Sequence, residues 1–186
     1  MYTINENINN TIIVKNSKFI TLLIKLDKSS NIKEIINDLK IKYPKATHYT
    51  YAYRFDKNNY GYSDDKEPTN TAGLPTYNVL EKKDLINVLA VTIRYFGGIK
   101  LGAAGLVRAY TKSISTLLNN INLKEVELYY LVELTTSYND KFIDNNKFII
   151  KEKIFDINIA YKLLIKKIDI NLLNNYKYKI LDEIYY

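Results

Sequence analysis

The sequence contains no cysteine, no tryptophan and a single histidine, His48. Without cysteine there is no disulfide, no thiolate metal site and no cysteine nucleophile. One histidine excludes the paired imidazoles of an HExxH metal site. No GxSxG nucleophile elbow occurs, and nothing in the sequence positions a Ser63–His48–Asp64 relay, so no catalytic residue is assigned. Apolar runs of about 18–20 residues, which a membrane helix needs, are missing. Met1-Tyr2-Thr3-Ile4-Asn5-Glu6 has no basic stretch leading into an apolar one, so no signal peptide is read there. The expectation is a cytoplasmic protein with no membrane partner. Proline and glycine are scarce, at 3 and 6 residues, which makes their positions informative.

What is present is a globular composition. The 186 residues are 47% hydrophobic and 25% charged, which excludes wholesale disorder and admits one or two domains with real cores. Lys, Asn, Ile and Tyr are abundant. Their codons are rich in A and T, so the 18 tyrosines carry little functional weight. The formal charge of +7 divides as +4 over 1–45, +2 over 46–110 and +1 over 111–186. A basic balance favours anionic partners such as RNA, although a lysine-rich solvated surface gives the same numbers. Arginine is more selective. Arg54, Arg94 and Arg108 are the only three, all in the middle third. Their planar forks suit phosphate, stacking or a buried carboxylate.

Along the chain, Thr11–Val14 and Phe19–Leu26 read as a hairpin about Lys15-Asn16-Ser17-Lys18. Ser29-Ser30-Asn31 caps a helix marked by Ile32, Ile35, Ile36 and Leu39, which stops near Tyr43-Pro44. Thr47–Phe55 alternates as a strand, Asp56–Thr71 is a long loop, and Ala72–Lys83 is a short helix with Pro75 in its first turn. Asn87–Phe96 reads as a central strand, and a long amphipathic helix follows over Leu101–Asn120. Beyond about residue 123 a β-α-β-β-α-β order is expected: strand Val126–Thr136, helix Tyr138–Asn145, strands Phe148–Phe155 and Asp156–Leu164, helix Ile168–Tyr176 and strand Tyr178–Tyr185. The expected division is therefore 1–123 and 124–186.

Three constellations carry chemistry. On the strand HYTYAYR, His48, Thr50, Ala52 and Arg54 share one face, which could meet an anion. Tyr49, Tyr51 and Tyr53 share the other, as core or as a base-stacking platform. Ser63, Asp64, Asp65 and Glu67 form an acidic loop, read either as a brace pinned by arginines or as a site. The third is Arg94-Tyr95-Phe96-Gly97-Gly98-Ile99-Lys100-Leu101-Gly102 with Gly105, where a strand gives way to a helix. Backbone amides and the helix N-terminus suit an anion there, while Gly102 and Gly105 could instead let the helix lie close on the sheet. The spacing matches neither a P-loop nor the dinucleotide fingerprint.

HYTYAYR, SDDKEP with TAGLP, and NVLAVTIRYFGGIKLGAAGLVRAY resemble the signature of the YigZ/IMPACT family over about residues 17–122. The weakly matched remainder is similar to the small second domain of its bacterial members. The resemblance implies an α+β protein. Its first domain would be of the ribosomal protein uS5 domain 2-like type, with a left-handed β-α-β unit. Its second would be a ferredoxin-like domain resembling domain V of elongation factor G. It also implies a non-catalytic, translation-associated regulator; the residues leave open a protein-interaction adaptor with a structural motif, or a phosphate-ligand-binding enzyme. The expected partners are RNA or the ribosome, or a protein of translation, with no cofactor and no metal. On this reading His48, Tyr51, Tyr53, Arg54, Arg94, Tyr95, Phe96, Gly97, Gly98, Lys100, Gly102, Gly105 and Arg108 contact nucleic acid. The family pattern usually reads SDDGEP followed by Ser/Thr-Gly. Here Lys66 and Asn70 stand at the glycines.

Overall fold

The computed structural model describes residues 1–146 and 148–186. The first unit, Met1–Glu125, holds β1 (Tyr2–Thr3), β2 (Ile8–Val14), β3 (Ser17–Lys25), α1 (Ile32–Lys42), β4 (His48–Arg54), β5 (Tyr60–Ser63), α2 (Gly73–Lys82), β6 (Val88–Tyr95), α3 (Ala103–Leu118) and β7 (Lys124–Glu125). Lys15 and Asn16, at φ of 44° and 63°, close the β2–β3 hairpin. Asn31 caps α1, its side chain accepting from the Lys33 and Glu34 amides.

Five strands form one sheet in the order β2-β3-β6-β4-β5, with every neighbour antiparallel. β6 lies at its centre and is buried from Val88 to Arg94, because helices cover both faces. Leu89, Val91 and Ile93 pack with Ile36 and Leu39 of α1. Val88 and Ala90 pack on the other face with Leu80 of α2 and Ile114 and Leu117 of α3. The alternation of side chains along a strand makes this division. Thr92 and Arg94 therefore face α3 as well, in register with Thr50 and His48 of β4.

Three short strands, β1, β5 and β7, escape the sequence reading. β5 lies inside the expected loop 56–71. Gly61 is part of the strand, paired with Tyr53, and glycine is needed there because a Cβ would lie 2.8 Å from the Tyr53 ring. β7 pairs with β1, which places Lys124 and Glu125 in the first unit.

The second unit, Val126–Tyr186, contains β8 (Leu128–Thr136), α4 (Phe142–Asn145), β9 (Ile149–Phe155), β10 (Ile159–Lys166), a 3₁₀ helix (Lys167–Leu173) and β11 (Tyr178–Tyr185). Its antiparallel sheet runs β11-β8-β10-β9, the arrangement that a split β-α-β unit produces. Val132, Leu134, Tyr161, Leu163 and Ile165 pack with Ile143 and Leu173. Both helices are shorter than their sequence spans. Asp140 accepts from the Phe142 amide at 2.8 Å and sets the start of α4 there, and the asparagine-rich run Asn171–Asn175 has weak helical preference.

Candidate functional site

The end of β6, the loop Phe96–Gly102 and the first turns of α3 form one region, with β4 and the acidic loop behind it. At its centre Arg94 is buried, with 4% of its surface exposed. Its Nη1 donates to Glu67 Oε1 at 2.6 Å and its Nη2 to Ser17 Oγ at 3.3 Å. The guanidinium lies between the rings of Phe19 and Phe96, at 5.3 and 5.5 Å. Glu67 Oε1 also accepts from the Tyr110 hydroxyl at 2.7 Å, and His48 Nε2 approaches it to 3.8 Å. Burial, and then the Glu67 charge, push the Tyr110 hydroxyl far above the ordinary tyrosine range.

The acidic loop is occupied by the protein's own groups. Asp64 Oδ1 accepts from the Ala72 and Gly73 amides at 2.9 and 2.8 Å, satisfying the start of α2, and Oδ2 accepts from the Asn70 amide at 2.8 Å. Asp65 Oδ2 accepts from the Tyr49 amide at 2.6 Å, and its carbonyl lies 2.8 Å from His48 Nδ1. Ser63 Oγ accepts from the Asp65 amide at 3.2 Å. Ser63, His48 and Asp64 thus each face a different partner rather than one another. Among the described residues no group of three or more His, Asp or Glu could hold a metal ion.

Two of the expected surface arginines are interior. Arg94 braces the loop from beneath, since its carboxylate partner is buried with it. Arg54 is 5% exposed and donates to the Leu85 carbonyl at 3.0 Å and to Asp84 at 3.4 Å. It stands at the far end of β4, six residues or roughly 20 Å from His48. It does not join the others. Tyr51 and Tyr53 are half-buried and pack with Tyr49 among the α1 cluster on the opposite face. Tyr95 is on that face too, its hydroxyl donating to the Pro44 carbonyl at 3.2 Å.

The exposed part of the region is the loop itself. Phe96 and Ile99 are each 46% exposed, and Gly98, Lys100, Gly102 and Arg108 are at the surface. Gly97 is required for close approach, because a Cβ would fall 2.1 Å from the Asn16 carbonyl carbon. Its amide donates to Ser17 Oγ at 3.1 Å. Gly98 and Gly102 have φ of 83° and 70°, with open space where a side chain would stand. Gly105 faces Leu101 rather than the sheet, so helix–sheet packing does not account for it. The N-terminus of α3 has no side-chain cap and no acid in its first turn, leaving its amides and positive dipole end open to solvent. Sequence reasoning missed Ser17 and Tyr110. Tyr110 sat on the apolar stripe of α3, and a buried tyrosine hydroxyl needs a partner.

The family model described as "Impact N-terminal domain" matches residues 15–118. The chain is 33% identical over 177 residues to the IMPACT family member YvyE of Bacillus subtilis, covering 91% of this chain and 82% of that protein. With the IMPACT family member YigZ of Escherichia coli it shares 35% identity over 112 residues, 58% of this chain and 55% of the relative. The Protein IMPACT homolog of Dictyostelium discoideum matches over 62% of this chain and 35% of its own length. A crystal structure described as that of a hypothetical protein superposes with a TM-score of 0.68 and 22% identity, covering 97% of both chains. The α+β fold is thus shared with a solved structure. The chain belongs to the IMPACT family, in its bacterial branch.

Proposed function

We propose that this chain is a non-catalytic, translation-associated regulator that binds RNA or the ribosome through the exposed loop Phe96–Gly102 and the first turns of α3. The observation that carries this reading is the uncapped α3 N-terminus beside Lys100, behind two glycines that leave the backbone open. Such amides and such a dipole end suit a phosphate. Phe96 offers a face for a base, and Lys100 and Arg108 supply charge. Arg94, Glu67, Ser17 and Tyr110 hold the loop in place and do not themselves reach the ligand. The charge distribution supports the same reading. The first unit carries 18 basic and 11 acidic residues, net +7, and the second carries 9 of each, net zero.

Co-sedimentation with ribosomal subunits at low and moderate salt tests it. Binding at low salt that weakens as salt rises, and that falls in Lys100→Glu and Phe96→Ala, is expected. No binding at low salt would remove the reading. One observation favours a second reading, a protein-interaction adaptor: Phe96 and Ile99 both expose apolar surface on the same loop. A nuclease-insensitive pull-down lost in Ile99→Asp, with negligible RNA affinity, would select it.

A further inference from the structure

A groove of about 580 Å³ runs between α2 and α3, and no residue of the Phe96–Gly102 loop lines it. Ala72 shares a cluster with Leu106 and Ala109, while Leu80 shares one with Leu117 and Leu118. The two helices therefore run side by side in the same direction. Val107, Thr111, Ser115 and Asn119 line one wall at intervals of four residues, a single stripe of small side chains along the helix. Leu74, Val79 and Val107 give a half-buried apolar floor together with Pro75.

Lys82 and Lys83 stand at one end, exposed, and the lining contains no carboxylate. Among the described residues neither lysine has an acidic partner. The groove is thus apolar along its floor and positive at the Lys82–Lys83 end. It holds no arginine and no aromatic ring to stack on a base, which disfavours a nucleic-acid strand as occupant.

We propose that the α2–α3 groove is a docking site for an acidic, amphipathic segment of a partner protein. The segment sets apolar side chains on Leu74, Val79 and Val107 and its carboxylates against Lys82 and Lys83. Small walls at Thr111 and Ser115 let a helix or extended strand approach closely, as in helix-in-groove recognition. The complementarity of charge fixes its direction and speeds encounter.

Phage-displayed random peptides panned against the full chain test this, with the Val79→Glu chain as counter-selection and circular dichroism to verify its folding. Enrichment of sequences with apolar residues at helical spacing flanked by Asp and Glu is expected. A selected peptide should bind about tenfold or more weakly to Lys82→Glu/Lys83→Glu, a surface change that leaves the core intact. Its affinity for Lys100→Glu should match that of the parent chain, which separates this groove from the RNA site. Failure to enrich over the counter-selection, enrichment of basic or uncharged peptides, or an unchanged affinity in the double variant would each overturn the proposal. Displacement of the peptide by a single-stranded RNA would also overturn it, by making the groove a nucleic-acid surface.

Discussion

Glu67 Oε1 meets a buried arginine, a buried tyrosine hydroxyl and a partly exposed imidazole within 3.8 Å. Removing it leaves Arg94 as an uncompensated buried charge, so Glu67→Ala should cost about 3–5 kcal/mol. Urea unfolding of the variant measures this directly, and a change under about 1 kcal/mol would mean the pair is not buried as described. The tyrosines give a second test at the same scale. Burial, then the hydrogen bond to Glu81, pushes Tyr77 from 10.0 up to about 12, and Tyr110 lies higher still. Because both folded pKa values are raised, the stability they contribute is complete below pH 10. That of Tyr77 is lost as pH climbs toward about 12, and that of Tyr110 later. Stability followed by denaturant titration should therefore be flat in these groups near neutrality and decline above pH 10. The sequence announced Arg94 and Glu67 as important residue types, but whether a guanidinium points to solvent or to a carboxylate depends on which helix lies over its strand.

At the scale of elements, the acidic loop Ser63–Thr71 shows how backbone shape is chosen. Asp65, Lys66 and Asn70 have φ of 41°, 69° and 60°. The positions where the family usually has glycine are thus the positions that need the left-handed region. Lysine tolerates it poorly, and Lys66 is exposed, so its side chain gives nothing back. Lys66→Gly should stabilise the chain by about 0.5–1 kcal/mol, the left-handed penalty relieved less the added chain entropy. Thermal unfolding checks the direction, and a lower melting temperature would contradict it. The long elements were legible because their periods are strong: α1 and α3 from their four-and-three spacing, β4 and β6 from their β-branched and aromatic runs. β5 was not, because four residues interrupted by Gly61 carry too short a pattern. β1 and β7 were not, because two-residue strands exist only through each other.

At the scale of the whole molecule, the net charge lies in the first unit and the second is neutral. If the proposed RNA interaction uses the loop and α3, Lys100→Glu should lower the slope of log affinity against log salt by about one or more. Lys177→Glu in the second unit should leave it unchanged. An equal loss from both changes would place the interface elsewhere. The sequence by itself determined the α+β class, the order of the long elements and the family, because apolar period and local motif are properties of neighbouring residues. It also marked the strand-to-helix turn as the region to inspect. Only the tertiary structure decided that Arg54 and Arg94 are interior braces, that Ser17 and Tyr110 complete one of them, and that α2 and α3 leave a groove. Burial and pairing join residues 80 or more positions apart, as Ser17 and Gly97 are, and no local pattern of side chains records such distances.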